Sequence, residues 1–128
     1  MTIYGTGIDL VNITRFKKVM KNNIKFKKRI FSQNEINYCE KNKNKYNCYA
    51  KRFSAKEAFS KSLGTGISEG LCFNEIIITN NKKGKPTISI KGKSLTLVTK
   101  ILNKKKFNIF LSLSDEGDYA ISSVILTA

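Results

Sequence analysis

The chain has 128 residues, 41% of them hydrophobic, and carries 24 Lys+Arg against 9 Asp+Glu for a net charge of +15. That size and composition predict one globular domain over 1–128 and exclude a disordered chain. The lack of any histidine excludes Ser-His and Cys-His catalysis and a His-completed zinc site, while the charge asks for an anionic partner unless a Lys/Asn-rich coding bias accounts for it.

In chain order, residues 2–10 alternate as a strand, with Gly5 and Gly7 suited to close backbone approach. Asn12 or Thr14 can cap a helix in which Ile13, Phe16, Val19 and Met20 form the apolar stripe and Arg15, Lys17, Lys18 and Lys21 lie off it. A short basic segment runs from Lys25 to Arg29. Ser32-Gln33-Asn34-Glu35 reads as a capping box opening a helix through about Glu40. Residues 41–45 are a basic loop, and a long helix follows from about Tyr46 to Leu63, with Gly64 as its C′ stop. Residues 73–79 and 86–90 read as strands joined by a turn at 81–85. A helix is expected around Leu95–Leu102. Strands at 107–114 and 119–126 flank a hairpin turn, Asp115-Glu116-Gly117-Asp118. The order predicts an α+β fold: a mostly antiparallel sheet packed against a long helix and shorter helices.

Cys39, Cys48 and Cys72 are odd in number and contain no C-x-x-C pair, so all three are expected as reduced, structural thiols. Met1-Thr2-Ile3-Tyr4-Gly5 has no leader character, and no apolar run reaches the ~18–20 residues that cross a bilayer. A soluble, cytoplasmic protein with no membrane partner is expected.

Few residues carry chemistry. Asp9, near the end of the first strand, reads alone as a turn or cap residue. Glu57 lies among Ala55, Ala58 and Phe59, where a carboxylate needs a partner or a cation; Lys61, at i+4, is the ordinary partner. Taken together, two acids from different elements can hold Mg²⁺ with waters and substrate phosphates, and a lysine beside them suits phosphoryl chemistry. Gly64-Thr65-Gly66 follows, either as a simple helix end or as a close approach to a ligand; it lacks the Walker pattern.

Gly5-x-Gly-Ile-Asp9, Arg15, Arg29-Ile-Phe31, Arg52-Phe-Ser-Ala-Lys-Glu-Ala-Phe-Ser-Lys61, Gly64-Thr-Gly66, Gly84-Lys-Pro86, Leu111-Ser-Leu-Ser114 and Tyr119-Ala120 resemble, in order and over nearly the whole chain, the holo-acyl-carrier-protein synthases among the bacterial 4'-phosphopantetheinyl transferases. The resemblance implies transfer of 4'-phosphopantetheine from coenzyme A to a serine of an acidic acyl carrier protein, in fatty acid biosynthesis. It implies that Asp9 and Glu57 bind Mg²⁺, that Lys61 lies near the pyrophosphate, and that Arg52, Gly64, Thr65 and Gly66 line the coenzyme A site. Arg15, with Lys18 beside it and Arg29 in the second basic segment, would meet the carrier. A homotrimer with active sites between subunits is implied by analogy. Glu57 or a metal-bound water would be the base. The family's usual histidine near the nucleotide is Asp115 here; a paired or shifted turn is the expected accommodation, against weaker coenzyme A binding or an extra metal contact. The competing readings are a basic nucleic-acid-binding module, against which the apolar setting of Phe53, Phe59, Phe73, Phe107 and Phe110 argues, and a catalytically impaired homologue.

Overall fold

The protein is described from a computed structural model covering residues 1–64 and 70–128. It opens with strand β1 (Ile3–Asn12), followed by helices α1 (Ile13–Met20), α2 (Ile24–Ile30), α3 (Gln33–Glu40) and α4 (Lys45–Ser62). A 3-10 turn, Phe73–Glu75, leads into β2 (Ile76–Asn80) and β3 (Pro86–Ile90), and α5 (Gly92–Leu102), β4 (Asn108–Glu116) and β5 (Tyr119–Thr127) complete the chain. The α+β class holds. The strands divide into two antiparallel sheets, one of three strands ordered β1-β5-β4 and one β2-β3 hairpin, where a single sheet was expected.

The capping signals act as read. The Asn12 side chain accepts the Arg15 N–H at 2.9 Å, which fixes the start of α1. Ser32 and Glu35 cap one another's backbone N–H groups at α3. Gly64 follows α4 with φ +75°, a conformation in which a side chain is strained.

Two expectations need correction, and one segment that carried no assignment proves to be a helix. The basic segment 25–29 is helical: Asn23 caps it through the Phe26 N–H at 3.0 Å, and only Ile30 is buried, so its apolar stripe is too sparse to register as periodic. The start of the 73–79 segment is the 3-10 turn, not strand. Cys39 and Cys48 are disulfide-bonded, not free thiols; the short α3–α4 connection folds back and leaves their Cα atoms 5.5 Å apart, and Cys72 alone is free.

Helix α4 is the centre of the molecule. Ala55, Ala58, Phe59 and Leu63 pack with Ile76, Ile78, Val98, Leu111, Val124 and Leu126, while Tyr49 and Ala50 join Phe16, Met20, Phe31 and Ala120 in a second cluster. Between the clusters lies a fully buried ion pair. Lys56 Nζ meets Glu35 Oε1 at 2.7 Å and also donates to the carbonyls of Phe73 (2.8 Å) and Ile76 (2.6 Å). Glu35 Oε2 accepts the Ile78 N–H at 3.1 Å. Burial lowers the Lys56 pKa to about 8, opposed by Glu35, so the ammonium is charged at neutral pH and all three of its protons find acceptors. One pair thus ties α4 to α3, to the 3-10 turn and to β2.

The outer face of the three-stranded sheet is apolar as well. Ile8, Leu10, Phe110, Tyr119, Ile121 and Ile125 are exposed there, where a solvated antiparallel sheet ordinarily carries polar residues.

Removing one partner of the buried pair strands the other. Lys56→Met is expected to cost about 3–5 kcal/mol of stability in urea unfolding, with partial recovery when Glu35→Gln is added.

Candidate active site

Successive β1 side chains alternate between faces, so Gly5, Gly7 and Asp9 share the face turned toward α4. The first two have no side chain for a physical reason. A Cβ at Gly5 would collide with the Ser62 carbonyl, and one at Gly7 with the Ala58 carbonyl. The strand backbone therefore lies directly on the helix and delivers Asp9 beside Glu57. Ser54 Oγ donates to the Asp9 carbonyl at 3.0 Å and meets Ser122 Oγ at 2.7 Å. Lys61 Nζ donates to the Ile8 carbonyl at 3.0 Å and to Asp9 Oδ1 at 3.1 Å.

Glu57 is half-buried. Its pKa is raised, first by burial and then by the Asp9 charge, with Lys61 pulling it down. The i,i+4 pairing of Lys61 with Glu57 does not form; Lys61 pairs with Asp9, whose side chain is 14% exposed against 55% for the lysine. The two acids share a cleft of about 390 Å³ with Arg15, Phe16, Phe26 and Phe53. Among the described residues no three metal-ligating side chains cluster. Two hard carboxylates in one cleft nevertheless fit Mg²⁺, which fills its other positions with water and phosphate oxygens.

A second polar cleft, about 250 Å³, lies on another flank of α4 and is lined by Arg52, Lys51, Tyr38, Asn80, Pro86 and Asp115. Five residues separate Arg52 from Glu57, which turns about 140° around a helix. Arg52 is only 4% exposed. It donates to Asn80 Oδ1 at 2.6 Å and to Cys48 Sγ at 3.3 Å, lies 4.4 Å from the Tyr38 ring centre, and has no bonded partner at Nε. Burial lowers its pKa. Among the described residues no carboxylate reaches ion-pair distance of it, so this buried cation is available to an anion. Asp115 is paired: Lys51 Nζ lies 3.7 Å from Oδ1, and Asn47 donates to Oδ2 at 3.2 Å. It belongs to the end of β4, and the turn proper is confined to Gly117 and Asp118.

Asp9, Glu57, Lys61 and Arg15 thus meet at one cleft, whereas Arg52 and Asp115 occupy the other. Lys18 on α1 and Arg29 on α2 are exposed and line neither cleft. Gly64 is exposed at the end of α4; Thr65 and Gly66 lie outside the described residues. Sequence reasoning passed over Ser54, Ser122, Lys51, Asn47, Tyr38 and Asn80. Ser54, three residues before Glu57, was legible from helical spacing; Ser122 and Asn80 come from distant strands and leave no local signal.

Residues 5–124 match the model of the 4'-phosphopantetheinyl transferase superfamily. The chain is 46% identical over 126 residues to the holo-[acyl-carrier-protein] synthase of Pelagibacter ubique, covering 98% of each. Among solved structures it resembles the holo-[acyl-carrier-protein] synthase of Neisseria meningitidis, with a TM-score of 0.84, 32% identity and coverage of 99% and 100% of the two chains. The Helicobacter pylori holo-[acyl-carrier-protein] synthase in complex with coenzyme A matches with a TM-score of 0.79, 31% identity and coverage of 95% and 99%.

A raised carboxyl pKa favours the protonated form in the folded state. Glu57 therefore makes folding less favourable as pH rises from its unfolded value of 4.5 through its folded one. Asp9→Asn removes the like charge and leaves Lys61 in place, so the Glu57 carboxyl should titrate at lower pH in ¹³C NMR. An unchanged or higher midpoint would show that the two acids do not interact.

Proposed function

The chain belongs to the 4'-phosphopantetheinyl transferase superfamily, and we propose that it acts as a holo-acyl-carrier-protein synthase, moving the 4'-phosphopantetheine arm of coenzyme A onto a serine of an acyl carrier protein. The observation that carries this reading is the meeting of Asp9 and Glu57, from a strand and a helix, in one cleft rimmed by Arg15 and with Lys61 on Asp9.

In the reaction the carrier serine oxygen bonds to the β-phosphorus of coenzyme A. The bond from that phosphorus to the bridging oxygen breaks, and the electron pair leaves on adenosine 3',5'-bisphosphate. The serine proton needs an acceptor. A Glu57 carboxylate oxygen free of the cation would accept it, and with Mg²⁺ bound, coordinated water would be the alternative acceptor. Lys61, exposed and held to Asp9 by a weak surface-type pair, would exchange that contact for the diphosphate and offset charge on the departing oxygens. Asp9 and Glu57 would hold Mg²⁺, which when bound neutralises phosphate charge and acidifies coordinated water. Arg52, with Gly64, Thr65 and Gly66, would line the nucleotide end. Asp115, already paired with Lys51 and Asn47, would stand there without presenting a bare charge.

Arg15 at the cleft, with exposed Lys18 on α1 and Arg29 on α2, would offer a basic approach suited to an acidic carrier helix. The carrier so loaded would serve fatty acid biosynthesis in the cytoplasm. Among the described residues no helix is long and apolar enough to cross a membrane. A homotrimer with sites between subunits is supported by the apolar outer sheet face: Ile8 and Leu10, on either side of Asp9, are each 61% exposed on it, so a neighbour seated there would adjoin the cleft. The nucleic-acid alternative gains little. Phe59 is buried and Phe53 and Phe73 pack on each other, as the apolar setting implied; Phe110 departs from that reading, 54% exposed on the outer sheet face, but its ladder partner there is Ile125 and not a basic residue.

Incubation with apo carrier protein, coenzyme A and Mg²⁺ should raise the carrier's intact mass by one phosphopantetheine, and a chelator should abolish the change. Asp9→Ala or Glu57→Gln should slow it by about 100-fold or more; an unmodified carrier with the parent chain would overturn the reading. Arg15→Glu should raise KM for the carrier about tenfold while KM for coenzyme A stays put, and equal changes in both would remove Arg15 from the carrier surface.

A further inference from the structure

Glu57 is bracketed on α4 by two residues that reach across to β1. Ser54, three residues before it, holds the Asp9 carbonyl at 3.0 Å, and Lys61, four after it, holds the Ile8 carbonyl at 3.0 Å. The two ties differ in kind. Lys61 is an exposed ammonium that also contacts the Asp9 carboxylate, so any anion entering the cleft competes for it. Ser54 and Ser122 are 0% and 1% exposed, neutral, and out of reach of solvent or ligand.

The proton accounting is closed. Ser122 donates to Ser54 Oγ, and Ser54 donates to the Asp9 carbonyl; each buried hydroxyl proton is used once, in a chain whose bonds strengthen one another. Ser122 is itself the register partner of Asp9 in the β1–β5 ladder, so the chain closes a loop from β1 to β5 to α4. A contrast lies two turns along the same helix. Ser62 is equally buried, yet its hydroxyl bonds back to the Phe59 carbonyl at 2.6 Å, within α4, as helical serines commonly do.

We propose that Ser54, completed by Ser122, is a positioning residue that fixes the spacing of the Asp9 and Glu57 carboxylates once a divalent cation has displaced the Lys61 ammonium from Asp9. The inference rests on the reading of Asp9 and Glu57 as a divalent-cation pair. Ser54 touches neither substrate nor cation; it acts through the backbone of Asp9.

The test is Mn²⁺ binding to the full chain, followed by EPR of the free ion without coenzyme A or carrier, with thermal melting alongside. Ser54→Ala should weaken Mn²⁺ binding about five- to tenfold. The double variant Ser54→Ala/Ser122→Ala should be no weaker than Ser54→Ala, because both break one chain. Ser62→Ala, of equal burial, should bind as the parent does. Parent-like affinity in Ser54→Ala, with binding lost in Asp9→Asn, overturns the inference and leaves the cation pair standing. An equal loss in Ser62→Ala also overturns it, as general weakening of α4. Mn²⁺ binding that survives Asp9→Asn overturns the cation pair and this inference with it.

Discussion

A strand backbone resting directly on a helix, with no side chain between them, is the constraint from which the rest of the site follows. At Gly5 and Gly7 the carbonyls of Ser62 and Ala58 occupy the space a Cβ would need. Helix and sheet ordinarily stand apart by the length of interleaved side chains. Here the small residues of α4 and the bare strand bring two main chains together, and the next residue on that face is Asp9. A carboxylate on a short side chain then lies near Glu57, close enough for its charge to raise the Glu57 pKa. The close approach comes first and the electrostatics follow from it.

The approach requires α4 to be held in one rotation about its own axis, and packing alone fixes rotation poorly where the contact is made of alanine, serine and glycine. Lys56 supplies the missing constraint. A buried ion pair adds little net stability over apolar residues of similar size, yet it is intolerant of misalignment, because every displaced hydrogen bond leaves a dry charge. With Glu35, the 3-10 turn and β2 all holding one ammonium, the helix cannot roll without breaking several bonds. Glu57, the next residue, inherits that orientation.

Much of this was legible in the sequence where the signal is local. The caps at Asn12 and Ser32, the stop at Gly64 and the alternation of the terminal hairpin each depend on residues a few positions apart, and the structure places them as read. Asp9 and Glu57 could be grouped as a possible Mg²⁺ pair by their chemistry, but the ordered resemblance was needed to prefer that grouping, since a lone strand-end acid and a lone helical acid each have ordinary explanations. What stayed hidden is what the chain assembles from afar. Lys56 looks like any helix lysine until Glu35 arrives from 21 residues away. The Cys39–Cys48 bond depends on how sharply α3 turns into α4. Helix α2 was obscured by its own lysines, which dilute the apolar stripe below the level at which periodicity is seen. Lys61 was matched to the wrong acid because i+4 spacing favours a neighbour on the helix, while the strand pressed against that helix offers both a carbonyl and a carboxylate.

Beyond Lys45 at its first turn, which pairs with Glu40, three lysines of α4 make the division of labour explicit. Lys51, Lys56 and Lys61 recur at intervals of five, so each points to a different flank of the helix, and each meets one acid: Asp115, Glu35 and Asp9. Their side chains are 32%, 0% and 55% exposed, and burial decides what each pair can do. The middle pair is dry, multiply bonded and cannot be exchanged for a ligand without a large loss of stability. The outer pairs are wetter and longer, at 3.7 and 3.1 Å against 2.7 Å, and pairs of that kind cost little to open. Each also sits at a cleft: Lys51 in the cleft of Arg52, Lys61 above that of Glu57. The same residue type, repeated along one helix, is thereby dry and multiply bonded in the middle and solvent-accessible on either side.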